Sequence, residues 1–494
     1  MPPIIVTIDQ GTTGSTVLLL GEDLRVRARG YRELPQIYPR PGWVEHDPEA
    51  IWRSVVEALR EALEQAQCDP SDIVGVGITN QRETTLCFDR QGRPLHNAIV
   101  WQDRRTAPAC QALREAGREA WLRQRTGLLL DPYFSATKCQ WLLDNVPGLR
   151  ARAEGGEALF GTVDTFLIYR LSGGEAHVTD ASNASRTLLF DLHECAFTPE
   201  LCQLFGVPER ALPRVVPSQG PCAWTRGVPG LPDGVPIAGI AGDQQAALFG
   251  QLCLQPGAAK CTYGTGAFLL LNIGSRAVLS EAGLITTVAW QRPGPGGTIE
   301  TTYALEGSAF IAGAMVQWLR DGLQIIGSAA EVEALARSVP DSGGVVAVPA
   351  LVGLGAPHWR PEARGLLCGL TRGTTRAHIA RAVLEGIALQ ICDLADAMSA
   401  AGQPLQVLRV DGGAAHNDLL MQLQADLLGV PIVRPELLET TAVGAGLLCG
   451  LGVGLWSQEQ LQACWRVQRH FVPAMPPEQV REHRRRWAEA VQKA

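Results

Sequence analysis

An apolar run that passes through a turn of glycine and hydroxyl residues and returns as a second apolar run occurs near the start of each half of this chain. In the first half, residues 4–8 and 17–20 flank Asp9-Gln10-Gly11-Thr12-Thr13-Gly14-Ser15; in the second, residues 262–271 read TYGTGAFLLL. Residues 405–410 then end in Asp411-Gly412-Gly413. Turns this tight depend on the backbone freedom of glycine, and their apolar flanks read as strands. The recurrence of strand, acid and Gly/Thr turn predicts two similar lobes, which 494 residues can supply at roughly 100–200 residues per domain. With 46% hydrophobic and 19% charged residues, each lobe can bury its own core.

Between the turns, strands alternate with helices, so the expected class is α/β. The opening residues read as an antiparallel meander whose third strand covers 24–28. Asp47-Pro48-Glu49 combines a capping acid with a proline suited to a first helical turn, and Ile51, Val55, Leu59 and Leu63 follow at helical spacing. Residues 73–78 read as a strand that runs into Thr79-Asn80-Gln81-Arg82-Glu83. The aperiodic Pro- and Gly-rich stretch 213–236 is expected to be a surface loop near a boundary. The lobes are expected to divide as 1–250 and 251–494. Late in the chain, 405–410 and 430–433 read as strands around a helix that ends at 428. Residues 441–456 are apolar but glycine-rich, and shorter than the about 20 residues that span a bilayer, so they predict a tightly packed buried helix. Arg484-Arg485-Arg486 share their helix with Glu478, Glu482 and Glu489 and read as a solvated face.

Composition removes several functions. Three of the 43 basic residues are lysines, Lys138, Lys260 and Lys493, and none completes GxxxxGK[ST]. A Walker-type grip on nucleotide phosphates is therefore excluded, leaving backbone amides, hydroxyls, arginine or a metal for that work. Glycines near Gly444 and Gly452 do not complete the GxGxxG of a dinucleotide site. A net charge of −7 argues against a nucleic-acid partner. The 13 cysteines are odd in number, scattered and without a CxxC pair, which predicts buried thiols in a reducing compartment. The opening MPPIIVTID lacks the charged segment and long apolar core of a signal peptide, so a cytoplasmic protein without a membrane span is expected.

Chemistry concentrates in five places. The first turn offers backbone N–H groups and hydroxyls to an anion, with Asp9 at the strand end able to hold magnesium through water; a plain polar hairpin turn would use the same residues. Gly264-Thr265-Gly266 repeats the offer. Arg82-Glu83 can donate to and accept from a polyol, or pair with each other at the surface. Both reach one ligand only if the chain leaves strand geometry there. Trp101 and Tyr133 are either core aromatics or an apolar wall for substrate C–H groups. Asp243, followed by Gln244-Gln245, reads either as a helix N-cap or as the base that takes a proton from a substrate hydroxyl during phosphoryl transfer.

Together, DQGTTGST at 9–16, GITNQRETT at 77–85, AIVWQDRRT at 98–106, DPYFSATK at 131–138, GIAGDQQAALFGQL at 239–252, TYGTGAF at 262–268, LEGSAFIAGAMVQWLRD at 305–321 and LRVDGGAAHND at 408–418 resemble the glycerol kinases, a branch of the FGGY carbohydrate kinases in the actin/hexokinase ATPase superfamily. The resemblance implies two RNase-H-like lobes with an active-site cleft between them. It also implies ATP-dependent phosphorylation of glycerol to sn-glycerol 3-phosphate with Mg2+, by a homo-oligomer (dimer or tetramer). Carried over by position, it implies that Arg82, Glu83, Tyr133 and Asp243 bind the glycerol hydroxyls beside Gln244, that Trp101 and Phe268 form the apolar wall, and that Asp243 is the general base. Asp9 becomes the magnesium-linked carboxylate. Thr12, Thr13 and Thr265 are assigned to the phosphates, Gly313, Gln317, Gly413 and Asn417 to the nucleotide, and Gly14 and Thr16 are counted among the nucleotide-binding residues.

The chain departs from that pattern at Gly14, where serine is usual, and at Thr16, where arginine is common, which removes one cationic phosphate contact. No histidine stands between His193 and Asp243, where some bacterial relatives carry a phosphorylated one. Residues 471–479 differ from the surface that some relatives offer to a regulator. The alternatives are another FGGY kinase acting on a pentulose or sugar acid, and a chaperone-type ATPase module, which should carry a peptide-binding domain beyond the two lobes.

Overall fold

The computed structural model describes residues 2–494 and contains one large mixed sheet in each half. In the first, β1 (Ile4–Gln10), β2 (Gly14–Gly21) and β3 (Val26–Glu33) form an antiparallel meander. Helix α1 (Pro48–Ala66), capped by the Asp47 side chain on Glu49 N, returns the chain so that β4 (Ile73–Asn80) lies parallel to β1. An excursion through α2 (Ser135–Asn145), α3 (Val163–Leu171) and the short α4 (Ala181–Ala184) leads to β5 (Gln219–Trp224) and β6 (Pro236–Gly242). The sheet order is β5-β6-β4-β1-β2-β3.

Helix α5 (Asp243–Gly250) passes the chain to the second sheet, which begins with β7 (Ala258–Tyr263), β8 (Ala267–Gly274), β9 (Ile285–Pro293) and β10 (Ile299–Ala309). Helices α6 (Gly313–Asp321) and α7 (Arg376–Ala400) precede β11 (Val407–Asp411), α8 (Asp418–Leu428), β12 (Ile432–Pro435), α9 (Thr440–Gly452), β13 (Val467–Phe471) and α10 (Pro477–Lys493). Here the order is β9-β10-β8-β7-β11-β12-β13. Read as β3-β2-β1-β4-β6-β5 and β10-β8-β7-β11-β12-β13, the sheets agree strand for strand in direction, down to the antiparallel edge strand. The repeat suggested by the glycine turns is therefore a repeat of fold, and each turn joins the first hairpin of its lobe.

Three expectations need correction. The meander's third strand starts at Val26 rather than residue 24, because Leu24 sits in the preceding turn with φ of 62°. The stretch 213–236 is loop mainly over 225–235; before that it supplies β5, an edge strand of the first sheet. Proline is tolerated there because an edge strand has one free side, and Pro221 falls where the β5–β6 register is irregular. The three consecutive arginines of α10 do not all face solvent. Arg485 pairs with Glu482 and Glu489, but Arg484 donates to Asp396 Oδ2 at 2.7 Å and to Leu427 O at 3.0 Å, tying α10 to α7 and α8.

The lobes are joined by two crossing helices. α9, from the end of the second lobe, lies on β1, β2, β4 and β6 of the first sheet, while α5 reaches β7, β8 and β9 of the second. Their close approach depends on glycine: a Cβ on Gly444 would fall 1.8 Å from Ala246 O, and one on Gly250 would fall 2.1 Å from Thr440 O. This explains why an apolar, glycine-rich segment forms a helix buried along most of its length. Around the crossing, Ile5, Leu18 and Leu20 share a core with Leu270, Trp290, Phe249 and Leu448. The thirteen cysteines are free thiols. Among the described residues, no helix is long and apolar enough to cross a membrane.

Candidate active site

A cleft of about 2040 Å³ lies between the lobes. Thr12 and Thr13 reach it from the β1–β2 turn, and Gly264, Thr265 and Gly266 from the β7–β8 turn, so the two repeated hairpin tips open into one space. Arg82, Glu83, Trp101, Tyr133, Asp243, Gln244 and Phe268 line it as well.

The other expected nucleotide contacts are not part of that lining. Gly14 lies under Tyr31: a Cβ there would sit 2.6 Å from Tyr31 OH and from Arg32 O, so packing alone demands glycine. Thr16 stands opposite Asp9 on β2. Gly313 N donates to Gly264 O at 2.9 Å, seating the start of α6 against the second turn. Gln317 is exposed on α6 and Gly413 is exposed after β11, while Asn417 caps α8 by accepting from Leu420 N at 2.9 Å. Asp411 turns inward and accepts from Thr440 Oγ1 at 2.6 Å and Gln251 Nε2 at 2.9 Å, anchoring α9 instead of facing the cleft.

The chain does leave strand geometry after β4. Glu83 has φ of 61°, and Thr84 N donates to Arg82 O at 2.7 Å, so the side chains of Arg82 and Glu83 converge on one side. They are not a surface ion pair, since their closest approach is 3.9 Å and both are buried. Arg82 instead gives a two-pronged bond to Glu306 of β10, Nη1 to Oε2 at 2.5 Å and Nη2 to Oε1 at 2.9 Å. Glu83 accepts from Arg186 Nε at 2.6 Å, and Arg186 Nη2 reaches Glu306 Oε1 at 3.1 Å. Burial would push Glu306 up, but Arg186 and Arg82 hold it down to about 2. At Glu83 burial outweighs the same two cations, and its carboxyl is raised.

Asp243 is the open acid of this group. Its side chain is 30% exposed, against 2% or less for Arg82, Glu83, Arg186 and Glu306. Arg82 Nε lies 3.1 Å from its Oδ1, and Arg82 Nη2 lies 3.4 Å from Tyr133 OH. The N-cap of α5 is Gly242, so Asp243 is already one residue inside the helix, where it accepts from the adjacent Gln244 N at 2.7 Å. Trp101 Nε1 donates to Thr12 Oγ1 at 2.9 Å and meets Tyr133 edge-on at 5.6 Å, linking the first turn to the aromatic wall.

Two of the three lysines are buried behind the site. Lys138 Nζ donates to Tyr133 O at 2.5 Å and Phe134 O at 3.1 Å, and burial lowers it to about 8. Lys260 Nζ donates to Gln244 Oε1 and, at 2.8 Å, to Thr262 Oγ1. Sequence reasoning missed Lys260, Arg186, Glu306 and Ser308; Ser308 lines the cleft, and its buried Oγ has no partner among the described residues. Glu306 did carry a signal: an acid inside the run YALEGSA must find a buried partner.

Asp9 is pushed up to about 7, by burial first and by the Asp243 carboxylate second. A buried acid that also feels the charge of a second carboxylate suits a divalent cation. No group of three or more His, Cys, Asp or Glu among the described residues forms a closed metal site. An ion here would keep much of its water and lean on phosphate oxygens, the habit of magnesium.

Family models of the FGGY family of carbohydrate kinases match residues 4–250 (N-terminal domain) and 259–453 (C-terminal domain). The chain is 56% identical to a glycerol kinase of Myxococcus xanthus over 99% of both chains. It is 58% identical to one of Aromatoleum aromaticum over 99% of this chain and 98% of the other. The crystal structure of Plasmodium falciparum glycerol kinase with ADP matches with a TM-score of 0.93 at 34% identity, over 100% of this chain and 98% of that one. Gluconate kinase from Lactobacillus acidophilus matches with a TM-score of 0.89 over 100% and 98%, at 21% identity, a likeness of fold alone.

Proposed function

The chain belongs to the FGGY family of carbohydrate kinases, and from that membership we infer that it transfers the γ-phosphoryl group of ATP to glycerol, giving sn-glycerol 3-phosphate and ADP. The observation that carries the choice of acceptor is 56% and 58% identity, over nearly the whole chain, to proteins named glycerol kinase. Fold does not choose it, because gluconate and xylulose kinases share the architecture at 21% identity. Family membership of both halves sets aside the chaperone-type module.

The residues divide the work as follows. Arg82, Glu83 and Tyr133 meet the hydroxyls of a triol, which needs donors and acceptors side by side. Trp101 and Phe268 cover its C–H groups, and Gln244 closes the pocket beside the base. Asp243 accepts the proton of the reacting hydroxyl as its oxygen bonds to the γ-phosphorus, and the bond to the β–γ bridging oxygen breaks to release ADP. Thr12, Thr13 and Thr265 donate to the phosphates from opposite walls, next to Gly14 and Thr16. Magnesium bound near Asp9 supplies charge neutralisation at the phosphates. Gly313, Gln317, Gly413 and Asn417 serve the remainder of the nucleotide. The division into an acceptor- and phosphate-binding part, 1–250, and a nucleotide-binding part, 251–494, belongs to the same proposal. So do cytoplasmic residence, which the free thiols support, and assembly as a dimer or tetramer.

The test is an activity panel with Mg2+ and ATP, offering glycerol, xylulose, gluconate or no acceptor, with product identification. Glycerol is expected to be preferred at least about tenfold in kcat/KM, about 1.4 kcal/mol in transition-state binding. Equal or better turnover of xylulose or gluconate rejects the acceptor, and ATP hydrolysis indifferent to any acceptor rejects the kinase.

A further inference from the structure

We propose that Glu306 is a positioning residue for the acceptor side of the cleft: it holds both Nη atoms of Arg82, so that Asp243 meets only Nε and stays available as the base. The inference rests on the glycerol kinase reading above. Arg82 has three carboxylates within 4 Å: Glu306 at 2.5 Å, Asp243 at 3.1 Å and Glu83 at 3.9 Å. A guanidinium pairs best through two parallel bonds, and Glu306 holds both Nη atoms in that way. Its own orientation is fixed by Arg186, which Glu83 holds in turn.

Glu306 arrives from the second lobe, whereas Arg82, Glu83, Arg186 and Asp243 belong to the first. Along β10, Glu306 and Ser308 fall at alternate positions, and Phe310 follows just past the end of the strand. Ser308 and Phe310 line the cleft, and Ser308 is paired in register with Phe268. One strand therefore sets both the far wall of the pocket and the direction in which Arg82 points. Without Glu306, Arg82 and Arg186 lose their shared anion, and the accessible carboxylate nearest to Arg82 is Asp243. A carboxylate drawn into a two-pronged pair with arginine is a weaker base and is turned away from the hydroxyl it must deprotonate.

The experiment uses the full-length enzyme with Mg2+ and ATP, and compares E306Q, E306D, R82Q and R82Q/E306Q. It reads kcat and KM for glycerol, ATP affinity without glycerol, and the melting temperature. E306Q is expected to lower kcat/KM for glycerol at least about tenfold with ATP affinity within about twofold of wild type, and E306D to recover part of the loss. In the R82Q background, E306Q should change kcat/KM by less than about threefold, because the interaction it serves is already gone. An E306Q enzyme within about threefold of wild type overturns the proposal. So does an equal fold-loss in both backgrounds, which is the mark of a purely structural role. If E306Q alone does not fold, the step from R82Q to R82Q/E306Q decides: a change below about threefold supports the proposal and a loss of about tenfold or more overturns it. Wild-type enzyme inactive on glycerol would instead overturn the functional reading, and that result precedes any variant.

Discussion

A carboxylate can serve as a base or as a helix cap, and Asp243 separates the two because it stands one residue inside α5, beyond the cap position. Asparagine equals aspartate as a cap but cannot take a proton. D243N is therefore expected to lower kcat by about 10²–10⁴-fold with the melting temperature and ATP binding near wild type; a kcat within about threefold of wild type rejects the assignment. Asp164, on α3, makes a prediction about pH. Burial first and Asp180 second push it up to about 6. The folded protein keeps that proton to about pH 6 while the unfolded chain releases it near pH 4, so stability falls as pH rises through this window, by on the order of 2–3 kcal/mol. His46 and His177, lowered by burial to about 4, act oppositely and cost stability as pH falls from about 6.5 to about 4. The unfolding free energy of wild type minus that of D164N isolates the first effect and should fall between pH 4 and 6, then level off; a flat difference across the range contradicts it. At this scale the sequence picked out residues that the fold brings to one cleft, but not whom they touch. Adjacent letters suggested an Arg82–Glu83 pair, yet their ion-pair partners lie 224 and 103 positions away, where no local pattern reaches.

Elements were legible where periodicity and caps are local, as in α1 with its Asp47 cap, and illegible where neighbours decide. Strand β5 carries proline and glycine that deny a central strand, and only its edge position next to β6 makes it one. The glycines of α9 were readable as close packing, although the partner, α5, was not. Since α5 begins with Asp243, the crossing also holds the proposed base in place. G444A should destabilise the protein by about 1–3 kcal/mol, because its Cβ would meet Ala246 O at 1.8 Å and one helix must move. kcat should fall with it. G155A is the control, having open space around its Cβ, and should be nearly neutral. Matching denaturant midpoints for the two variants would contradict a tight crossing.

For the whole molecule, the repeated turn foretold two lobes of one plan, but nothing in a linear repeat reveals that each lobe lends a helix to the other's sheet. The consequence is testable by splitting the chain: residues 1–250 made alone lack the α9 that covers their sheet, and residues 251–494 lack α5. Each half is expected to be poorly folded by circular dichroism and hydrogen exchange, and coexpression to restore a folded complex; two independently stable halves would refute the exchange. A different consequence follows from where the lysines went. Lys138 and Lys260 are sealed beneath the cleft, and Lys493, in the last turn of α10, is the one exposed lysine among the described residues. Apart from a terminal amine, an acylating dye or an activated resin would find a single handle on the surface, far in sequence from both glycine turns. The protein could thus be tethered in one orientation, or labelled once per chain for single-molecule work, without removing any residue first.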